Sequence, residues 1–482
     1  MIEFLPLGIG IVTAAVAVRY GGGWFRRAAW RIGMIDRPKL RGVHADTVAR
    51  SGGMAIAAAL LLSLLAQMIS ARALGLQDAY LSELSHVYLL LPLLGLFGIG
   101  ALDDIRSLGA PAKLVVQALA ALWAWVLGFS IESVDLFGVY FIDTGVLSPL
   151  VTVIFIVAVT NAINMIDGID GLCSSVSAMA LAGIGVFGIA GGDVQLALAL
   201  PAAAAAAAFI RQNFRRPRAF LGDSGSMLFG FLIGALSLSA LKGSSGAIQV
   251  APLFVLLSLP IIDITTVFFR RILQGHSPLR ADRGHIHHIT LLIHGGSAKR
   301  ATATLALMAL VACVAAFMAA AYSELAPVAV ALPIGLYGVI YVMGGYLSWR
   351  NLRAAGPATD IADLIAEQAT TDGAGEALSA PGMIRLMELT RVTGLAVYDA
   401  DNRPAWSLGG PRENDSVLEL PLYSSGRVSV GRLEISGAEW PRWRLAFAAH
   451  LLLPLYPAFM EMLVREAVRR DTTRIAMHQK QP

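Results

Sequence analysis

Apolar residues in this chain fall into long, nearly unbroken runs, and the sparse polarity gathers between them. Crossing the ~30 Å hydrocarbon core of a bilayer takes roughly 20 such residues, fewer where the ends snorkel. On that measure eleven stretches qualify, at about 4–20, 51–70, 86–102, 112–130, 147–163, 173–190, 193–210, 220–241, 247–269, 301–322 and 326–348. They predict an all-α polytopic membrane protein. The tract Ala202–Ala208 suits close helix packing, because small side chains let backbones approach.

Past residue 350 the pattern changes. Residues 351–380, rich in Ala, Asp, Glu, Thr and Gly, read as a linker after a transmembrane domain over 1–350. Residues 381–482 read as a small soluble α/β domain: a helix from Met383 to Arg391, then the strands LAVYDAD, PAWSL, VLELPLY and RVSVGRLEIS, with a turn at Ser424-Ser425-Gly426. The strand–helix order resembles a GAF- or PAS-like module, with no ligand motif to give it a function. Trp443 to Val464 is apolar but interrupted by His450, Pro454, Pro457 and Glu461, so it reads as a broken core helix of that module rather than a twelfth span.

Composition agrees with this division. The 482 residues are 56% hydrophobic and only 15% charged, which excludes an ordinary soluble domain. A net charge of +4 is too small to argue for a nucleic-acid partner. Cys173 and Cys313 both sit among apolar residues and read as small buried hydrophobes. The first run, Phe4 to Val18, lacks a basic leader and an A-x-A site, so it reads as a retained span.

Charge then orients the spans. Basic loops follow the first span (Arg26, Arg27, Arg31, Arg37, Lys39, Arg41, Arg50), the third (Arg106, Lys113), the seventh (Arg211, Arg215, Arg216, Arg218), the ninth (Arg270 to Arg300) and the last (Arg350, Arg353). The intervening loops carry Asp78 and Glu83, then Glu132, Asp135 and Asp143, then Glu324. The positive-inside rule places the basic loops in the cytoplasm and the N-terminus outside.

Carboxylates are costly near hydrocarbon and read as functional by default. Here they gather at span ends on the basic side. Asp103-Asp104 are adjacent and mutually repulsive, so they call for a cation nearby; a solvated helix end is the plainer alternative. In NAINMIDGIDG, Asn161 and Asn164 are three apart on one helix face, Asp167 continues it, and Asp170 follows; a capped terminus would need fewer side chains. Asp223 in FLGDSGS suits either a helix cap or a Mg2+ ligand, since Mg2+ takes one or two carboxylates plus substrate phosphates. His285, His287 and His288, with Arg280 and Arg283 upstream, lack zinc-ligand spacing and read as an anion-binding surface. Asp263 lies within a span, and Asp36, Arg37 and His44 in IDRPKLRGVH form a polar loop.

Taken in order, DRPKLRGVH with RSGG, ALDD with its downstream Lys113, NAINMIDGIDG, FLGDSGS and HIHH resemble the polyprenyl-phosphate N-acetylhexosamine-1-phosphate transferases, over about residues 33–295 and in span layout to about 350. The HIHH ending is closer to the undecaprenyl-phosphate N-acetylglucosamine-1-phosphate branch. The resemblance implies transfer of a sugar-1-phosphate from a UDP-N-acetylhexosamine to undecaprenyl phosphate within the lipid bilayer, releasing UMP. It implies Mg2+ as cofactor, with Mn2+ as substitute, held by Asp223 with Asp104. Asp103 and Asp104 would lie at the reacting phosphates, with Asp103 orienting or deprotonating the lipid phosphate, and Lys113 would hold the donor diphosphate. Asn161, Asn164, Asp167 and Asp170 would form the nucleotide-sugar pocket; His285, His287 and His288 the donor-phosphate loop; Arg280, Arg283 and His44 further substrate contacts. Direct attack by the lipid phosphate is expected, since it is already a competent nucleophile. A homodimer and a monomer both stay open. The competing reading is a proton- or ion-coupled secondary transporter, which would put its acids near the bilayer midplane in repeated broken helices.

Overall fold

The computed structural model describes residues 4–36, 47–76, 88–191, 198–214, 218–243, 245–273, 284–344, 358, 360–369, 374–379, 381–411, 415–423, 429–437, 452–456 and 458–463. Two compact units divide the chain. Met1–Asp36, Val48–Ile264 and Thr302–Tyr337 make the first; Arg37–Thr47, Thr265–Ala301 and Gly338–Pro482 make the second.

The apolar runs become helices, but not eleven equal ones. Among the described residues seven are long and apolar enough to cross a membrane: Leu5–Ile32, Gly52–Ala73, Gly145–Met165, Leu172–Ile189, Gly222–Ala240, Ala298–Ala321 and Ser323–Met343. The stretch at 247–269 is a bent pair, Val250–Leu256 and Ser258–Ile272, turned by 83°. The remaining three give shorter helices, Leu90–Arg106 and Ala110–Val126 of 17 residues and Ala199–Asn213 of 15. At 1.5 Å per residue these reach only about 23–26 Å, less than the hydrocarbon core. The chain is a multi-pass membrane protein; among the described residues seven spans have full length, or eight if the bent pair counts as one.

We label the helices of the first unit α1 (Leu5–Ile32), α2 (Gly52–Ala73), α3 (Leu90–Arg106), α4 (Ala110–Val126), α5 (Ser148–Met165), α6 (Leu172–Gly191), α7 (Ala199–Asn213) and α8 (Gly222–Ala240). α1 runs to Gly33, whose φ of +79° ends it, so Arg26, Arg27 and Arg31 lie in the helix and not in a loop. Arginine is a good helix former, and its long stem can carry the charge out of an apolar layer. α8 is the inner helix, buried without a break from Ser224 to Leu238 and packed on α2, α3, α5 and α6. An all-round apolar helix suits either lipid or a protein interior, and α8 takes the interior. Its close fit depends on glycine: a Cβ at Gly230 would stand 2.6 Å from Thr160 Cα of α5.

Two small sheets stitch the bundle ends, and neither was legible in the sequence. β1 (Ile35–Asp36) pairs antiparallel with β2 (Val48–Ala49). β3 (Ser133–Leu136) and β4 (Tyr140–Asp143) form a hairpin through Phe137 and Gly138, both at positive φ, and β5 (Ile248–Gln249) adds to β3 in parallel. The acids Glu132, Asp135 and Asp143 therefore belong to a strand pair and its flank. Strands of two to four residues are too short for alternation to show.

The second unit holds a four-stranded antiparallel sheet of β6 (Val392–Asp399), β7 (Pro404–Gly409), β8 (Ser416–Tyr423) and β9 (Ser429–Gly437), in the order β7-β6-β9-β8. The helix Pro381–Thr390 packs on β6, with Met383 and Leu386 buried alongside Leu395, Val397 and Leu433. Within Trp443–Val464, described only at 452–456 and 458–463, a 3-10 turn spans Leu453–Leu455, and Phe459 meets the Trp406 ring of β7 at 5.8 Å. The Ser424-Ser425-Gly426 turn lies outside the described residues, although β8 and β9 pair as it requires.

Candidate active site

At one end of the first unit, the C-termini of α3 and α5 meet the N-termini of α2, α4 and α8, and each delivers polar residues. Backbone pairing fixes the junction. Phe220 N–H donates to Ala49 O at 2.9 Å, Gly52 N–H to Phe220 O at 2.9 Å, and Gly53 N–H to Leu221 O at 3.0 Å. The segment before Asp223 is thereby clamped to the start of α2.

Four carboxylates and two cations meet at the junction. Lys113 Nζ of α4 lies 2.7 Å from Asp223 Oδ2 and 3.5 Å from Asp103 Oδ2. Asp103 and Asp223 are within hydrogen-bonding reach of each other, and Asp103 also accepts the Leu108 N–H at 2.7 Å. Asp104 accepts hydrogen bonds from the Asp223 N–H at 3.0 Å, the Ser224 N–H at 3.1 Å and the Ser224 hydroxyl at 2.7 Å. Arg50 completes the ring, 3.3 Å from Asp104 Oδ1 and 2.6 Å from Asp36 Oδ1. Burial pulls the Arg50 guanidinium down, but Asp104 and Asp36 outweigh it and hold it above its ordinary value.

Asp167, in the turn after α5, faces the same group. Burial, then Asp223, Asp104 and Asp170, push its carboxyl well above the usual range, with Arg50 opposing. Asn164 donates from Nδ2 to Ser226 Oγ at 2.8 Å, which ties the end of α5 to the start of α8. Asn161 is engaged in packing: its Nδ2 donates to Gln117 Oε1 at 2.6 Å and to Val157 O at 2.8 Å. The Asp170 carbonyl accepts from the Thr302 hydroxyl at 2.9 Å. Asp103, Asp104, Asp167 and Asp223 therefore converge, together with Lys113 and Asn164.

Glycine makes the approach to Asp104 sterically feasible. Gly222 has φ +74°, and a Cβ there would fall 2.6 Å from Asp104 Oδ2. Gly222→Ala should lower the thermal midpoint and reduce turnover at least ~10-fold, since strain and displacement act together at one residue. A thermal melt and a rate measurement on the same preparation check this; an unchanged melt would show that the loop accommodates the methyl.

The histidines belong to the second unit and form their own cluster. His285 stands just before the helix α11 (Ile286–Ile293); α9 (Val250–Leu256) and α10 (Ser258–Leu273) precede it in the chain. His285 stacks on His287 at 5.6 Å, and His287 meets His288 at 4.2 Å. Burial, then His288 and His285, hold His287 well below its ordinary value, so its ring is neutral at pH 7. Its Nδ1 is buried with no hydrogen-bond partner among the described residues. The buried Arg270 of α10 donates to the Gly284 carbonyl at 2.8 Å, just ahead of the cluster. Asp263 is buried in α10. His44, Arg37, Arg280 and Arg283 lie outside the described residues.

Several contributors escaped the sequence reading. Arg50 and Asp36 were visible only as loop charges, and Gln117 and Ser224 as ordinary helix polars. Asn213 carried no motif, yet it is buried and holds two loops together: it accepts the Gly171 N–H and donates to Ala219 O at 3.0 Å. A buried amide at a helix C-terminus beside an arginine-rich stretch was the one available signal.

Residues 86–241 match the family described as Glycosyl transferase family 4. The chain is 31% identical over 268 residues to a probable undecaprenyl-phosphate N-acetylglucosaminyl 1-phosphate transferase of Bacillus subtilis, covering 55% of this chain and 71% of the relative. It is 32% identical over 317 residues to a decaprenyl-phosphate N-acetylglucosaminephosphotransferase of Mycolicibacterium smegmatis, covering 60% and 76%. It is 29% identical over 337 residues to the undecaprenyl-phosphate alpha-N-acetylglucosaminyl 1-phosphate transferase of Salmonella typhi, covering 68% and 88%.

Proposed function

We propose, from the premise that this chain belongs to Glycosyl transferase family 4, that it transfers N-acetylglucosamine-1-phosphate, or a closely related N-acetylhexosamine-1-phosphate, from a UDP-sugar to undecaprenyl phosphate, releasing UMP. The observation that carries the reading is the Lys113 ammonium set between Asp103 and Asp223 at a helix junction. Two anionic substrates repel, so positioned charge must supply most of the catalysis.

The residues fit a divalent ion. Asp103 and Asp223 are hard oxygen donors side by side, and among the described residues no set of three or more ligands closes a cage without substrate. That donor set matches Mg2+, which keeps waters and takes phosphate oxygens besides one or two carboxylates. Asp223 would hold it, and when bound it offsets charge on the donor diphosphate. Lys113 stands where it can neutralise the departing UMP phosphate. Asp103 orients or deprotonates the attacking lipid phosphate, which displaces UMP in line at the sugar-bearing phosphorus. Asp167, its carboxyl pushed up by burial and by Asp223, Asp104 and Asp170, would offer a hydrogen-bonding group to the donor. The basic loops support a cytoplasmic position for this end of the bundle. A transporter would place its acids at mid-bundle, whereas here they gather at one end.

The full chain in detergent, given UDP-N-acetylglucosamine, undecaprenyl phosphate and Mg2+, should release UMP and form a lipid diphospho-sugar. No UMP from any UDP-sugar tried would defeat the proposal. Labelled UMP should not exchange into UDP-sugar without the lipid; exchange would replace direct attack by an aspartyl-phosphate route. Competition among UDP-sugars would then fix the donor.

A further inference from the structure

Asp104 looks like a second metal ligand by sequence, but its hydrogen bonds describe a different task. A carboxylate offers about four lone-pair positions. Asp104 fills them: Oδ1 takes Arg50 Nη1 and the Asp223 N–H, and Oδ2 takes the Ser224 N–H and hydroxyl. Its side chain is fully enclosed, whereas those of Asp103 and Asp223 keep some exposure. The donors include two of the N–H groups that every helix leaves unpaired at its start. Leu221, the residue in the N-cap position of α8, makes no side-chain cap bond. Asp104 supplies that cap from another helix, 119 residues away in sequence, and the negative charge suits the positive end of the α8 dipole.

Glycines make the arrangement tight. Besides Gly222, a Cβ at Gly100 of α3 would fall 2.5 Å from Ser224 Cα, and one at Gly53 of α2 2.1 Å from Ser224 Oγ. Two helices, α2 and α3, thus press on one residue of α8, and the residue before it is Asp223. We infer that Asp104 is a positioning residue: it caps α8 from α3, with Arg50 as its counter-charge, and so aims Asp223 without binding the ion itself. This rests on the assignment of Asp223 as ligand and deepens it.

The test compares the full chain with Asp104→Asn and Asp223→Asn by thermal melts, first in chelator and then across a Mg2+ titration. A positioning cap predicts that Asp104→Asn lowers the midpoint in chelator, because an amide nitrogen would meet the Ser224 N–H or leave Arg50 unpaired. It also predicts that the Mg2+-induced shift survives but needs about 10–100-fold more ion, the usual penalty for a residue that orients a ligand. Asp223→Asn should abolish the shift. A higher midpoint in chelator, with the Mg2+ shift gone, would make Asp104 a direct ligand, its loss having relieved repulsion. A lower midpoint with an unchanged Mg2+ requirement would reduce it to a purely structural group. Either result overturns the inference. Should Asp104→Asn fail to fold, Ser224→Ala removes the hydroxyl bond alone and should move both readouts in the same directions by less. UMP release, measured separately, tests the proposed reaction and not this assignment.

Discussion

Lys113→Gln should reduce turnover by about 10²–10³-fold, the range seen when one preorganised charge partner of a transition state is removed. The ammonium is 2.7 Å from Asp223 and 3.5 Å from Asp103, so its loss leaves two carboxylates facing each other uncompensated. The same substitution should lower the thermal midpoint of metal-free protein, and added Mg2+ should recover part of the loss. Turnover within a factor of ten of the parent would remove Lys113 from the reaction. A midpoint that ignores Mg2+ would argue that no divalent ion occupies the pair.

Asp167→Asn should move activity and stability in opposite directions. Its carboxyl is pushed well above the usual range by burial and by Asp223, Asp104 and Asp170. In the unfolded chain it ionises near ~3.9. As pH rises from about 4 through the elevated folded value, the parent loses stability, because charging the group costs more folded than unfolded. Asparagine never takes that charge. The variant should therefore match the parent near pH 4 and exceed it above, by at least ~2 °C at neutral pH. Turnover should fall by about 10²-fold, the scale of one charge-assisted hydrogen bond to the donor. Melts from pH 4 to 8 and one rate measurement decide it; a variant less stable at pH 8 than at pH 4, relative to the parent, would reverse the sign.

The architecture was readable wherever length and hydropathy were decisive, and the site wherever acids stood out against them. Asp103, Asp104, Asp167 and Asp223 were visible because a carboxylate among apolar residues has few plain explanations. Their partners were not. Arg50 looked like one of many loop arginines, since the same charge sets topology and pairs with Asp104. Asn161 looked like a ligand group because i,i+3 spacing gives a shared face but not its orientation; that amide is committed to Gln117. Eleven spans were expected and seven of full length stand among the described residues, because a window of apolar residues does not reveal where a helix stops or bends, as it does between Leu256 and Ser258. Gly222 and Gly284 carried no reading of their own in the sequence, and their structural reason is the close approach of Asp104 and Arg270.

Asp223 meets Asp104 only after the intervening chain has been made, and Ala219 reaches back to Ala49 across a longer stretch still. A nascent polypeptide emerging from the insertion machinery therefore carries Asp104 for more than a hundred residues before the α8 groups that enclose it exist. During that interval Asp104 depends on Arg50 or water for company, and Asp103 on Lys113. Competence for chemistry would arrive in a single late step, when α8 slots between helices already in place, so a chain cut short before that point is inert rather than weakly active.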